Sequence, residues 1–469
     1  MEKNPRSSDF ILWLAAVGFF MQTLDATIVN TALPSMAVSL GESPLRMQSV
    51  VIAYALTMAM VIPASGWLAD RFGTRLVFTA ATLCFVAGSL ACALSSNLSA
   101  LTAARILQGL GGAMLMPVGR LAVLRSFPGE SFLRALSFVA IPGLIGPLVG
   151  PTLGGWLVET ASWHWIFLIN VPIGLLGCVL SLRYMPDGRL NRVPPFDFAG
   201  FGLLSFGMMT LSLALDGLAG IGLGRGAVLV LLLLGLANLA AYWFRAARHP
   251  LPLFSPLLFR INSFGVGLLG NLFARIGSGA MPYLIPLLLQ LSMGYSPFYA
   301  GLMMLPVAAA AILSKPLVTA MIQRFGYRRV LLGNTLLLGI AMTAFSLLEP
   351  NQPIWPHIVL LFFFGAINSV QFTAMNTVTL KDLETVQASS GNSMLSMVQM
   401  LSMSLGVSVA AALLAVFTEH YGQAALGYLA AFHTTFLCVG TITIASALIF
   451  WQLAPDTGAA TMETRSQML

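Results

Sequence analysis

Charge is what this chain has least of. Asp, Glu, Lys and Arg make up only 8% of its 469 residues, and lysine occurs at just three positions, Lys3, Lys315 and Lys381. None of them follows a glycine, as the lysine of a phosphate loop must, so direct use of ATP is excluded. Histidine is equally sparse. The five copies at 164, 249, 357, 420 and 433 show no His-x-x-x-His spacing and no partnered acids, so neither a metal site nor a cofactor is expected. Cys84, Cys92, Cys178 and Cys438 all fall within apolar runs, as small core residues do, and offer no disulfide framework. With no nucleophile beside a base and no hydrophilic stretch long enough for a catalytic domain, the chain does not read as an enzyme.

What is present in excess is apolar surface: 58% of residues are hydrophobic and the mean hydropathy is +0.87. A water-soluble domain carries roughly 25% charged residues and has too little interior to hide this much hydrocarbon. Runs of about 20 apolar residues recur, each long enough to cross a 30 Å hydrocarbon core at 1.5 Å per residue. Bounded by Pro, Gly or charge, they predict spans at 10–33, 47–69, 76–95, 98–120, 134–158, 164–185, 198–216, 224–245, 263–291, 298–320, 329–348, 355–376, 388–416 and 430–452. The short segment before the first span and the absence of a clear signal-peptidase site mark that span as retained.

The net charge of +7 suggests nucleic acid or an anionic surface only until the cations are sorted by loop. Among the 23 Lys and Arg, only Arg46 and Arg225 lie on the side opposite the termini, and Arg105, Arg275 and Lys315 fall inside spans. All others share the side of the N-terminus. Basic loops face the cytoplasm, so both termini are expected there, and the expected partners are lipid and small molecules rather than nucleic acid.

An internal repeat divides the chain. Arg71-Phe72-Gly73-Thr74-Arg75 after span 2 recurs as Arg324-Phe325-Gly326-Tyr327-Arg328 after span 10. If each loop follows the second helix of its half, the second half begins at span 9. The expected organisation is an N-terminal six-helix bundle over 1–192, two inserted helices over 193–250, a C-terminal six-helix bundle over 251–455 and a cytoplasmic tail over 456–469. Such a chain closes its own core, and a monomer is expected.

Several positions carry chemistry. Gly66, Asp70, Arg71, Gly73 and Arg75 build a tight charged turn after span 2, where glycine permits positive φ and Asp70 can meet a helix N-terminus or a basic side chain. In span 5, Gly143, Pro147, Gly150 and Gly154 share one face almost devoid of side chains, which lets a neighbouring helix approach closely and softens the backbone. Asp25 and Arg105 are charges inside spans 1 and 4, each costing about 2.5–3.5 kcal/mol at the bilayer centre unless paired. They lie roughly 12 Å and 10 Å from the outer ends of their spans at 1.5 Å per residue, which is similar depth. Pairing neutralises both, and protonation of Asp25 breaks that balance.

Arg275, in mid-span 9, needs an anion: Asp25 across a central cavity, a substrate carboxylate or a helix C-terminus. Gln22, Asn30, Gln108, Asn271, Gln290, Asn368 and Gln371 are uncharged candidates for a substrate cavity, or glue between helices. Lys315 can snorkel to the interface. His164, between Trp163 and Trp165, reads as an interfacial anchor or a proton relay. Met394, Met397, Met400 and Met403 in span 13 offer an adaptable apolar surface, or simple packing.

The loop Gly66-Trp67-Leu68-Ala69-Asp70-Arg71-Phe72-Gly73-Thr74-Arg75 resembles the loop signature of the major facilitator superfamily. The run Gly143 to Gly155 resembles the antiporter signature of drug:proton exchangers. Leu24-Asp25 through Pro34, Arg105-Ile106-Leu107-Gln108-Gly109 and Trp163 through Gly174 are similar to the fourteen-span drug:proton antiporter branch of that superfamily. The resemblance covers nearly the whole chain. It implies an all-α polytopic membrane protein of major facilitator fold, two six-helix bundles plus two inserted helices, in which the loop gates the cytoplasmic side and span 5 slides against span 10. It also implies a proton-coupled exporter of small amphipathic compounds. Independently of the resemblance, Asp25 is the only acidic residue deep within any span, so Asp25 and Arg105 are the candidates for coupling the proton, the alternative being a fixed structural pair. The second-half loop departs from the pattern, with Gln323 where Asp70 would repeat. Two Arg inside the membrane against one deep acid favour a different cargo, an anionic metabolite such as a citrate-like organic acid. If the cation sorting is right, a fluorescent-protein fusion at the C-terminus will fluoresce and an alkaline phosphatase fusion there will be inactive; the reverse pattern sinks the orientation.

Overall fold

The computed structural model describes residues 5–127, 130–189, 193, 195–218, 224–422 and 425–454; the expected tail over 456–469 and the boundary at 192 lie outside the described residues. Sixteen α-helices occur among them: α1 Pro5–Leu40, α2 Gln48–Phe72, α3 Thr74–Ala93, α4 Leu98–Ser126, α5 Glu130–Thr160, α6 Trp165–Leu168, α7 Asn170–Tyr184, α8 Phe198–Leu218, α9 Arg225–Ala246, α10 Asn262–Leu287, α11 Pro297–Leu302, α12 Leu305–Leu313, α13 Lys315–Ala344, α14 Ile354–Leu380, α15 Thr385–Tyr421 and α16 Ala425–Phe450. Twelve helical stretches among the described residues are long and apolar enough to cross a membrane. The 31-residue α5 and a broken helix complete fourteen spans.

The broken helix is the tenth span. It runs through α11 and α12 into α13, interrupted at Met303 and Ser314, and ends where Gly326 takes φ 76° and ψ 162°. Gly73 between α2 and α3 adopts φ 93° and ψ 146°, nearly the same conformation. The sequence repeat is therefore also a repeat of backbone geometry, set by a glycine at positive φ. The ninth span departs from regular geometry as well: α10 contains Pro282 and Pro286, and a π-turn, Leu288–Ser292, follows it.

Helices α1–α7 and α10–α16 form two bundles that meet along two seams, α2 against α15 and α5 against α11 and α12. The inserted α8 packs on both α2 and α15 and so covers the first seam, bonding Ser205 Oγ to the Met60 carbonyl at 3.4 Å and bringing Ser212 Oγ to 3.4 Å from Ser404 Oγ. Helix α9 lies outside α8 and exposes Leu229, Val230, Leu233 and Leu236, a surface suited to lipid. Asp197 anchors the pair at the end of α8 nearest the termini, accepting from the Gly200 amide at 2.9 Å and from Arg245 of α9 at 2.9 Å. Burial by itself raises the pKa of an acid, but the Gly200 amide and the Arg245 guanidinium outweigh it and hold the Asp197 carboxyl below its ordinary value.

The glycine face of α5 meets a different neighbour from the expected one. A Cβ at Gly143, Gly146, Gly150 or Gly154 collides with Phe19, Thr23, Thr27 or Ile28 of α1, so α1 lies in the groove. Thr31 Oγ1 adds a bond to the Pro151 carbonyl at 3.2 Å. Pro147 is exposed and Gly146 takes its place on the buried face; both lie within a helical turn of Gly143 and Gly150, so spacing does not separate them, and the side on which α1 packs does. The far end of α5 packs on the tenth span, Gly155 against Pro297 and Pro151 against Gly301, with Thr152 Oγ1 bonded to the Gly301 carbonyl at 3.1 Å. Overfilling the groove is expected to cost about 1–3 kcal/mol. Gly150→Val should lower the melting temperature of the purified protein, whereas Gly66→Ala, where nothing lies within 4 Å of the added Cβ, should leave it unchanged.

Candidate functional site

Asp25 and Arg105 do meet. An Asp25 Oδ2 lies 2.5 Å from Arg105 Nη1, with side-chain exposures of 0% and 1%. Their helices, α1 and α4, are neighbours in the first bundle, and glycines bring in the third: Gly88 of α3 abuts the backbone of Gln108, and Gly111 abuts that of Phe85. Around the pair α2, α3, α4 and α7 contribute polar partners. Gln108 Nε2 donates to Asp25 Oδ1 at 2.7 Å and to Ser89 Oγ at 2.8 Å, while its Oε1 accepts from Arg105 Nη1 at 2.6 Å. Asn170 Nδ2 of α7 approaches Asp25 Oδ1 at 3.3 Å, and Arg105 Nε donates to the Val50 carbonyl of α2 at 3.1 Å. The guanidinium lies 4.1 Å from the centre of the Tyr54 ring. The network sits inside the first bundle, and Gln108 is bonded into the charge pair.

Arg275 does not reach Asp25, whose carboxylate is already taken up. Among the described residues it makes no ion pair, and its Nε and Nη2 are buried without a hydrogen-bond partner. Its guanidinium stacks 4.1 Å from the centre of the Phe372 ring. Both line a cavity of about 230 Å³ together with Asn368 and Gln399. Met375, Met400 and Met403 supply much of its apolar wall, and Ser278, Gly279 and Pro282 complete it. All these residues come from α10, α14 and α15, and Met400 also packs against the core of the first bundle, so the cavity borders the other half.

The other cavity candidates fall elsewhere. Asn271 bonds the Gly267 carbonyl and Thr379, and Gln371 joins Asn334 to Thr335; both tie helices within the second bundle. Gln290 donates across the two halves to the Thr31 carbonyl at 3.0 Å. Gln22 and Asn30 are buried in α1, each with an unpaired side-chain oxygen. Only Arg275 and Asn368 of that set line the cavity. Phe372 and Gln399 were not singled out from sequence; one Phe among 30 carries no mark until a cation is seen on its face. Lys315 is exposed, as snorkelling requires. His164 stacks 3.7 Å from Trp163, and burial pushes its imidazole pKa down.

At the face holding the termini, Asp70 pairs with Arg125 of α4, and Arg125 also donates to the Gly188 carbonyl. Arg75 Nε donates to the Met185 carbonyl at 2.6 Å and Thr74 Oγ1 to the Pro186 carbonyl at 2.6 Å. Gly73 lies so close to Asp187 that no Cβ fits, and Arg71 is exposed. These ties all lie within the first half. In the second loop Arg328 stacks on Trp451 at 5.2 Å and Lys381 on Tyr327 at 4.8 Å. At the opposite face the halves are joined. Glu159 accepts from Ser296 Oγ at 2.9 Å and from the Phe298 amide at 3.3 Å, and a continuous apolar cluster runs from Leu33 and Met36 of α1 to Leu284 and Leu288 beside α10.

The family model for the Major Facilitator Superfamily matches residues 15–273 and again 267–467. The chain belongs to the Major Facilitator Superfamily. It is a multi-pass membrane transporter of small molecules, not an enzyme. The two matches meet beside the start of α10, where the sequence repeat also divides the chain. It is 50% identical over 456 residues to the "Putative multidrug resistance protein MdtD" of Serratia proteamaculans (strain 568), covering 97% of this chain and 95% of that protein. The protein of the same description from Pectobacterium atrosepticum is 50% identical over 458 residues, with 97% of each chain covered. Among solved structures, a POT family transporter in complex with a thioalcohol-conjugated peptide superposes with a TM-score of 0.70 over 96% of each chain at 16% identity. Peptide transporter POT in complex with sulfate gives 0.67, covering 97% of this chain and 96% of that one, at 17% identity. These likenesses show the fold.

Removing one partner of a buried ion pair costs about 3–5 kcal/mol because the other charge is left uncompensated. Arg105→Ala should therefore destabilise far more than the double variant Asp25→Asn/Arg105→Gln, measured by thermal unfolding in detergent. Equal losses would mean the pair contributes no mutual compensation.

Proposed function

We propose that this transporter is a proton-coupled exporter of small amphipathic compounds, working by alternating access in the inner (plasma) membrane with both termini cytoplasmic. One observation carries the proposal: the Asp25–Arg105 pair, the only ion pair among the described residues with both side chains fully buried, on a helix gripped by α5. The halves 1–192 and 251–455 would rock against each other about the inserted 193–250 pair, in a monomer. The Lys and Arg sorting supports the orientation, and the lack of a phosphate loop leaves an ion gradient as the energy source. One proton moved through 100 mV supplies about 2.3 kcal/mol. At about 1.4 kcal/mol per tenfold ratio, that sustains roughly a fifty-fold substrate gradient.

The geometry suggests how a proton acts. A neutral Asp25 leaves Arg105 as a buried, uncompensated cation, which the Gln108, Tyr54 and Val50 contacts do not neutralise. α1 then gains by shifting toward an arrangement that hydrates or re-pairs the arginine. Its other face fills the α5 groove, and the far end of α5 forms the seal with Pro297 and Gly301. Movement of α1 thereby reaches the seam opposite the termini. Asp70, Arg71 and Arg75 would brace the cytoplasmic side of the first bundle while this occurs.

A second reading, export of an anionic metabolite such as a citrate-like organic acid, is favoured by the unpaired Arg275 at the cavity. Energised everted vesicles decide between them. Proton efflux from the lumen on adding amphipathic drugs, lost in Asp25→Asn, is the expected outcome; efflux with citrate-like acids alone supports the metabolite exporter. Undiminished efflux in Asp25→Asn overturns the coupling role.

A further inference from the structure

We infer that the cavity beside Arg275 and Phe372 binds amphipathic monoanions, molecules with one carboxylate or sulfonate on an apolar body. This deepens the exporter reading and rests on it for transport, though not for binding. Arg275 keeps its positive charge in any protein environment, and its Nε and Nη2 are buried with no partner. The Phe372 ring, 4.1 Å away, addresses only the face of the guanidinium. Stacking uses the π-surface and leaves the in-plane N–H donors unused, which is the edge a carboxylate or sulfonate oxygen pair fits.

The rest of the wall limits the ligand further. Among the described residues, no second Lys or Arg and no acid lines the cavity. One cation balances one anion, so a polycarboxylate would bury charges without partners, and a lipophilic cation would face Arg275 with nothing opposing it. Asn368 and Gln399 can hydrogen-bond a headgroup without adding charge, although Gln399 Nε2 already donates to Asn376 at 2.7 Å. Met375, Met400 and Met403 offer unbranched, polarizable side chains that adapt to differently shaped apolar bodies. At about 230 Å³ the cavity is smaller than the roughly 300–1,000 Å³ of common ligand pockets, which limits the body to one or two rings.

The experiment is isothermal titration calorimetry on the full chain in uncharged lipid nanodiscs, without any pH gradient. The probes are naphthalene-2-sulfonate, its trimethylammonium counterpart and citrate. The sulfonate should bind wild type at least tenfold more tightly than either other probe; Arg275→Gln should weaken it at least tenfold, with Arg275→Lys recovering part. Ammonium or citrate binding as tight as sulfonate binding, or sulfonate binding undiminished in Arg275→Gln, overturns the inference, as does no sulfonate binding at all. If Arg275→Gln does not purify as a folded protein, Met403→Trp, which fills the cavity, must abolish sulfonate binding instead. Asp25→Asn should bind the sulfonate like wild type, so failed proton coupling and failed anion recognition are read separately.

Discussion

A charge in hydrocarbon has to be cancelled where it stands, and the first bundle is arranged around one such cancellation. Asp25 and Arg105 are completely enclosed, so water compensates neither of them. The Gln108 and Asn170 side chains and the Val50 carbonyl bond them directly, and Ser89 accepts from Gln108 in turn, so five helices counting their own take part. Close approach is what makes this possible. Glycines at 88 and 111 let α3 and α4 touch backbone to backbone, which brings short polar side chains within reach of the pair. In lipid, where helices gain nothing from burying apolar surface against one another, such close packing and interhelical hydrogen bonds hold the bundle together.

The same constraint shapes the asymmetry between halves. The first bundle carries a compensated pair; the second carries Arg275 with a ring on its face and no counterion among the described residues. The first loop is clamped by the Asp70–Arg125 pair, whereas the second, with Gln323 in the equivalent place, is held by cations stacked on aromatic rings. A repeated backbone thus carries two different electrostatic roles. α1 lies between the charge pair and the seam: one face holds Asp25 and the other fills the α5 groove that ends at the seam with the tenth span.

The inserted helices gain a place, if not a chemistry. Composition leaves α8 and α9 as two more apolar runs. Packing distinguishes them: α8 is wedged across α2 and α15 by small polar bonds, while α9 presents leucine and valine outward. α8 thereby covers the seam between α2 and α15.

Hydropathy, loop charge and the recurring Arg-Phe-Gly segment were enough to read a fourteen-span, two-half transporter and the similar depth of Asp25 and Arg105. Each depends on local rules, namely span length, charge bias and the φ a glycine permits. Which helices become neighbours is not local. The glycine stripe of span 5 announces close packing, but a stripe does not say what fills it, and α1 rather than the tenth span does so. The pairing of Asp25 with Arg105 left Arg275 unpaired, and only the folded chain placed Phe372 against it. An amide in a span reads alike whether it ties helices, as Gln371 does, or lines a cavity, as Asn368 does. Secondary structure in a membrane follows from the chain's own backbone needs, so sequence determines it, whereas the partners of each polar group depend on helix rotation and approach, which only tertiary packing sets.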